Sequence, residues 1–167
     1  LLLGIFDSLI EEGQTAYYAR FAKELSGVKA GDYRYLFREL SDLCSVLECK
    51  TDLALKLKKA YAAQDKNALN ALSGDFKELL RRISKFYRSF AAAWNAENKP
   101  FGFEVQDQRL GGLISRVKAV AKRIEEFAAG KTDCIPELDE KHLPYGCYAA
   151  EKDFSNLFYN DWAGIVS

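Results

Sequence analysis

The sequence has a single histidine, His142, and this scarcity excludes most metal chemistry for a helical protein. A di-iron bundle needs a Glu-x-x-His motif on each of two helices, and one histidine cannot supply both. Asp139 and His142 have the spacing of one such half-site, but no second half-site accompanies them. His142 also precedes Leu143-Pro144 in an irregular segment, where a phosphotransfer histidine would need an exposed helix face. We therefore expect no metal site and no cofactor.

Neither sign of charge is in excess, because 24 Lys and Arg side chains balance 24 Asp and Glu side chains. Nothing in this balance favours nucleic acid or an anionic membrane surface as a partner. Long apolar runs are missing too, and none approaches the roughly 18–20 residues that cross a bilayer. We expect a protein that binds neither nucleic acid nor membrane.

Cysteine is sparse and follows no motif. The chain has Cys44, Cys49, Cys134 and Cys147, which form neither a CxxC pair nor a Cys/His metal spacing. Cys44 lies on an apolar helical face, and no base accompanies any of the four as a nucleophile would require. The pattern favours reduced, buried thiols in a cytoplasmic protein.

Methionine is absent, even at position 1, and both ends of the chain are apolar. Natural termini are usually polar and loosely held. We therefore expect a piece of a larger protein, whose upstream part could carry a signal peptide. The expected layout is a single helical domain over residues 1–167, made of a docking segment (1–12), a helical bundle (13–130) and a packed tail (131–167).

Apolar residues recur at alternating spacings of three and four over three long segments, which is the heptad pattern of helices that pack together. The predicted long helices cover residues 33–63, 68–94 and about 106–130, with a short helix before them at 15–25. Thr15 is expected near the N-cap of the short helix, Asp32 is the expected N-cap of the first long helix, and Gly130 is expected to close the last long helix. The fold class is all-α, an up-down-up bundle of three long helices with a short N-terminal helix and an irregular C-terminal tail.

Three segments of the predicted helices carry more specific expectations. The stripe of the first long helix consists of Leu36, Leu40, Leu43, Leu47, Ala54, Leu57 and Tyr61. Ser73-Gly74-Asp75 is a weak point in the second long helix, where we expect a kink or a boundary. A helical turn is expected at residues 136–141, within the tail.

The connection at residues 94–113 is too long for a plain turn between bundle helices, which takes about 2–8 residues. It mixes aromatic rings, Pro100 and charged groups, and this composition is typical of loops that carry function. Gly111 and Gly112 each cost about 1 kcal/mol in a helix, so a close neighbour should compensate. That neighbour is a second backbone or a sugar ring, and the pattern favours the backbone.

The charged and aromatic residues of this connection have two interpretations. Phe101 and Phe103 could plug the end of the bundle or form a carbohydrate platform. Asp107 could stabilise the positive end of a helix while Arg109 ties down nearby carboxylates. The alternative is that Glu104, Asp107 and Arg109 contact sugar hydroxyls.

Residues 98–113 (NKPFGFEVQDQRLGGL) resemble a signature segment in the helical C-terminal region of bacterial β-N-acetylhexosaminidases of glycoside hydrolase family 20. Residues 2–7 (LLGIFD) are similar to the exit from the catalytic barrel of that family. Residues 46–55 and 160–162 are also similar, so the resemblance spans most of the chain.

The resemblance implies an exo-acting parent enzyme that removes terminal N-acetylglucosamine or N-acetylgalactosamine by substrate-assisted, retaining hydrolysis. In that family an Asp-Glu pair on the barrel is catalytic, and no catalytic residue can be transferred to any position here. The chain itself would be an inert support and dimerisation domain. Its implied partners are its own barrel, a second subunit and, through the parent enzyme, N-acetylhexosamine-containing glycans.

The candidate substrate-binding residues are Phe101, Phe103, Glu104, Asp107 and Arg109. The alternative from another class is a free-standing helical interaction module, without any enzyme attached, that binds a partner helix through an exposed stripe.

Overall fold

The computed structural model describes residues 10–140, and this part of the chain contains helices and no strands. The helices are α1 (Gln14–Ser26), α2 (Arg34–Ala62), α3 (Lys66–Ala71), α4 (Ser73–Glu97), α5 (Phe103–Ala128) and α6 (Pro136–Asp139). A single 3₁₀ turn, Gly31–Tyr33, precedes α2. The all-α prediction is confirmed. Predictions for residues 1–9 and 141–167, including His142 and Cys147, lie outside the described residues.

The long helices pack in an antiparallel series in which α2 lies between α1 and α4, and α4 packs against α5. The direction of α1 against α2 is fixed by the Ser41 hydroxyl, which donates to the Ala22 carbonyl at 2.8 Å. The register of α2 against α4 shows in the Lys85–Asp42 and Lys56–Asp75 ion pairs, at 2.7 and 3.2 Å. This order is the predicted up-down-up bundle with a short helix at its side.

Burial is concentrated at one end of the bundle, where α2 and α5 end and α4 begins. We call this the closed end, and α3 and α6 cover it. Its large, fully buried side chains are Leu53, Leu57, Leu69, Leu79, Ile83, Ile124, Phe127 and Ile135. Most of them belong to the predicted heptad stripes, whose spacing places one side chain per turn on the inner face.

Tyr61 fastens the segment after α5 to this core. Its hydroxyl accepts a hydrogen bond from the Ile135 backbone N–H at 2.9 Å and donates to Asp139 Oδ1 at 3.0 Å. Ile135 is 1% exposed, so its backbone N–H needs a partner inside the protein. The tyrosine therefore joins the C-terminal part of α2 to α6, which forms within the predicted helical turn.

Two helices end in the same local geometry at the closed end. Gly130 has φ +72°, with bonds from its N–H to the Phe127 carbonyl and from the Lys131 N–H to the Glu126 carbonyl. These are the two bonds of a Schellman cap, which confirms the predicted role of Gly130. Gln64 repeats the motif after α2 at φ +53° without being a glycine. The next residue, Asp65, caps α3 by accepting from the Ala68 N–H at 2.9 Å.

The weak point at Ser73-Gly74-Asp75 is confirmed as a boundary, because α3 ends at Ala71 and α4 begins at Ser73. Thr15 lies near the N-cap of α1, as predicted, whereas the predicted N-cap at Asp32 is wrong. Gly13 precedes α1, and Tyr33 precedes α2 after the 3₁₀ turn, neither with a side-chain cap bond. The glycines around these positions let the chain turn into the helix by another route.

The stripe of α2 is buried only towards the closed end. Ala54 and Leu57 are fully buried, whereas Leu40 is 45% exposed. Periodicity identifies the inward face but cannot tell how far the neighbouring helix reaches, and the first buried residue of α5 is Val117. The expectation of buried thiols also fails in part, because Cys44 and Cys49 are half-buried and Cys134 is exposed in the loop before α6.

Candidate functional site

The connection between α4 and α5, residues 98–102, is a tight corner held by its own backbone and by neighbouring side chains. The indole N–H of Trp94 donates to the Lys99 carbonyl at 3.0 Å, and the Gly102 N–H donates to Glu104 Oε2 at 2.9 Å. Gly102 has φ +92°, a conformation that side chains disfavour. A Cβ at this position would lie 3.5 Å from the Trp94 ring. These hydrogen bonds and the glycine conformation together determine how the chain turns at the corner.

An aromatic cluster supports the corner from below. Phe103 lies at the centre, with its ring centroid 5.4 Å from Phe90, 5.7 Å from Trp94 and 6.0 Å from Tyr87. Such edge-to-face and tilted arrangements add to the stabilisation that ring burial provides. Phe103 is thus a plug at this end of the bundle, as one of its two interpretations required.

Phe101 has a different environment, because 84% of its surface is exposed at the apex of the corner. No ring contact to it occurs among residues 10–140. Single exposed apolar side chains are common on protein surfaces, and this one leaves an aromatic ring available for contact at the apex of the corner. The two phenylalanines, two positions apart in sequence, therefore separate into a structural ring and an exposed ring.

The charged candidate residues also differ in whether they have a partner within the protein. Glu104 bonds back to the corner, and Asp107 Oδ1 accepts from the Tyr87 hydroxyl at 2.7 Å. This hydrogen bond to a carboxylate raises the pKa of Tyr87 above its ordinary value. Arg109 is exposed and pairs with none of the carboxylates that the structure describes, so the interpretation that it ties them down is wrong.

Gly111 and Gly112 follow on the exposed surface of α5. A Cβ added to either would meet no atom within 4 Å among the described residues. The close approach of a second backbone, which the sequence favoured, is therefore not made within residues 10–140. These glycines leave an open patch on the surface of α5.

Metal-binding geometry is not found in this part of the chain, where no three His, Cys, Asp or Glu side chains group around a common point. None of the described helices is long and apolar enough to cross a membrane. Burial raises the pKa values of the Cys44 and Cys49 thiols, which makes them poor nucleophiles.

The chain was compared with known proteins at family level and one by one. Residues 1–156 match the family described as Glycoside Hydrolase 20C C-terminal domain. The chain belongs to this family. No curated protein matches it. The resemblance noted at residues 98–113 is thus confirmed, and the chain is a helical domain of a glycoside hydrolase of family 20. Membership implies a catalytic domain in the same protein as its partner.

Within this domain four of the five candidate residues lie exposed in the corner or in the first two turns of α5. Phe101, Glu104, Asp107 and Arg109 are all exposed, while Phe103 is partly buried beneath them. Sequence reasoning included Trp94 in the connection and Tyr87 in the apolar stripe, but it did not predict that their side chains bond to the corner and to Asp107. Both lie on the helix before it, and their aromatic side chains in the last turns of α4 were the available signal.

Proposed function

We propose that this domain supports the catalytic domain of an exo-acting β-N-acetylhexosaminidase and presents the corner to a catalytic pocket, in its own subunit or in the second subunit of a homodimer. The single observation that carries the proposal is the state of Phe101, exposed at the apex of a corner that the Trp94–Lys99 and Gly102–Glu104 hydrogen bonds hold. The parent enzyme removes terminal N-acetylglucosamine or N-acetylgalactosamine by substrate-assisted hydrolysis. Its catalytic Asp-Glu pair lies in the catalytic domain.

The roles within the corner follow from which groups are already bonded. Tyr87 occupies one oxygen of Asp107, and the Gly102 backbone occupies one oxygen of Glu104. Phe101 and Arg109 have no such bonds among the described residues, so they are free to contact a ligand. In this proposal Phe101 stacks on a sugar ring, Arg109 donates to sugar hydroxyls or an acetamido oxygen, and Phe103, Glu104 and Asp107 position them.

Arg109→Ala in the full-length enzyme tests the proposal. We expect kcat/KM for a β-N-acetylglucosaminide to fall by about tenfold, because one contact to the substrate is lost. The matched control is Arg116→Ala, an exposed arginine two turns further along α5, which should leave kcat/KM unchanged. A loss of less than about twofold for Arg109→Ala, which is below about 0.5 kcal/mol of transition-state binding, would show that the corner does not serve catalysis.

The pairing of subunits is tested separately. Light scattering of the full-length enzyme should give the mass of a dimer, and the mass of Phe101→Ala distinguishes two versions of the proposal. A dimer that dissociates in this variant places the corner against the second subunit. A dimer that persists with a reduced kcat/KM places the corner against the pocket of its own subunit.

A further inference from the structure

A second polar region lies on the opposite side of α4 from α5, between α4 and the first turns of α2. It consists of two cavities of about 470 and 230 Å³ that share Arg34 and Arg38. Arg88 lines the larger cavity, and Asp42 and Lys85 line the smaller one. We call these two cavities together the arginine cleft. No residue of the cleft belongs to the corner.

The arginines of the cleft differ from those that hold the bundle together. Arg20, Arg81, Arg82 and Arg123 each pair with a carboxylate. Arg34, Arg38 and Arg88 form no ion pair or hydrogen bond with any residue from 10 to 140. Three unpaired guanidinium groups around one cavity repel one another, and an anion between them would relieve that repulsion.

Asp42 provides an independent observation at the same place. Its side chain is 4% exposed, and Lys85 Nζ lies 2.7 Å from Oδ1. The second oxygen, Oδ2, is buried without a hydrogen-bond partner among the described residues. A buried carboxylate oxygen without a donor is costly, so the smaller cavity calls for a group that donates a hydrogen bond.

The other polar groups of the cleft are already bonded, which narrows the chemistry of the ligand. The Tyr35 hydroxyl donates to Glu97, and the Ser89 hydroxyl donates to the Phe86 carbonyl. Asp32 is exposed at the rim and offsets one of the positive charges. Apart from Asp32, the groups of the cleft that remain unbonded within residues 10–140 are its three guanidinium groups, which donate hydrogen bonds, and one buried acceptor, Asp42 Oδ2.

We propose that the arginine cleft binds a phosphorylated or sulfated sugar. Guanidinium groups bind tetrahedral oxyanions through paired N–H donors, so Arg34, Arg38 and Arg88 hold the ester group. A ring hydroxyl donates to the Asp42 carboxylate, which turns its unbonded oxygen towards the smaller cavity when the sugar binds. The larger cavity lies within the range of about 300–1,000 Å³ that is usual for small-molecule sites. This inference goes beyond the proposed function, because the site and its ligand are independent of the hexosaminidase reaction.

Calorimetric titration of the full-length protein with glucose 6-phosphate and glucose 6-sulfate tests the proposal, since neither probe carries the N-acetyl group of a hexosaminidase substrate. Both should bind saturably, and glucose should not. The double variant Arg38→Ala/Arg88→Ala should weaken binding by about tenfold or more, because charge-assisted hydrogen bonds are lost. The control Arg116→Ala removes an arginine outside the cleft and should bind like the unchanged protein.

The variant Asp42→Asn distinguishes a site that recognises the sugar from a surface that only attracts anions. The amide keeps an oxygen for Lys85 but replaces the free acceptor by a donor. Binding of glucose 6-phosphate should weaken about fivefold, while binding of inorganic phosphate should not. The thermal unfolding temperature of each variant shows whether it has folded.

Four outcomes would overturn the proposal. The first is that none of the probes binds, and the second is that inorganic phosphate binds as tightly as glucose 6-phosphate. The third is binding that the cleft variants leave unchanged. In the fourth, folded Arg38→Ala/Arg88→Ala changes the mass of the assembly while the probes fail to bind, which would assign the arginines to a protein contact. A preference between the phosphate and the sulfate ester would identify the source of the anion.

Discussion

The two ends of the bundle use similar residues in opposite ways. At the closed end Phe127 is 1% exposed and its ring lies 5.1 Å from that of Tyr61, whose hydroxyl bonds to Ile135 and Asp139. At the corner Phe101 is 84% exposed, and Arg109 has no partner among the described residues. The closed end therefore buries its aromatic ring inside the bundle, whereas residues 101–109 leave an aromatic ring and a guanidinium group without a contact partner among the described residues. From this difference we expect the closed end to provide most of the stability and the corner to bind a partner.

The largest contrast is expected between two phenylalanines. Phe127→Ala should lower the free energy of unfolding by about 3–5 kcal/mol, because it opens a cavity that the packed core cannot close. Phe101→Ala should change it by less than about 0.5 kcal/mol, since 84% of the residue's surface is already exposed. Urea denaturation measures both. Equal losses would show that the closed end is not the source of stability.

Substitution of two glycines should change the free energy of unfolding by smaller amounts and in opposite directions. Gly102→Ala should cost about 1–2 kcal/mol, because φ +92° is strained for any residue with a Cβ. Gly111→Ala should instead stabilise by about 0.5–1 kcal/mol, since alanine suits a helix and nothing described lies within 4 Å of the added methyl. The same denaturation experiment applies. Destabilisation by Gly111→Ala would mean that a neighbour already occupies this surface.

A smaller loss of stability is expected at acidic pH, from the ion pairs of Glu78. Arg81 and Arg82 bond to Glu78 and lower the pKa of its carboxyl to about 2, below its ordinary value of 4.5. Because the folded state favours the ionised form, this stabilisation is present above about pH 4.5 and is lost as the pH falls towards 2. Glu78 is partly exposed, so solvent weakens the effect.

The measurement is the unfolding free energy of the unchanged protein and of Glu78→Gln between pH 5 and about pH 2. The unchanged protein should lose more stability over this range than the variant, which has no proton to gain at that position. Parallel curves would assign the acid sensitivity to other carboxylates, among them Glu137, whose pKa is lowered by its bond to Arg123.

Sequence reasoning succeeded where a local pattern determines the outcome. The heptad spacing predicted α2 and α5 to within three residues, Ser73-Gly74-Asp75 predicted the boundary before α4, and Gly130 predicted a cap. Each of these depends on residues close together in the chain. The resemblance at residues 98–113 identified the family, which no pattern of spacing could have done.

The features that sequence reasoning missed depend on distant residues or on the absence of a neighbour. Leu40 belongs to the stripe of α2 but is 45% exposed, because spacing along one helix does not show which part of its apolar face a neighbour covers. Phe101 and Phe103 look equivalent in the sequence, and only the left-handed turn at Gly102 directs one ring outward and the other inward. The arginine cleft joins residues about fifty positions apart, and no motif connects them.

The central claim is that the corner, unlike the closed end, contacts the ligand of the parent enzyme. Hydrogen exchange of the full-length enzyme, measured with and without saturating N-acetylglucosamine, tests it most directly. The account predicts that the sugar slows exchange across residues 98–112, while residues 53–60 at the closed end exchange as before. Exchange at the corner that is the same with and without the sugar would contradict the account.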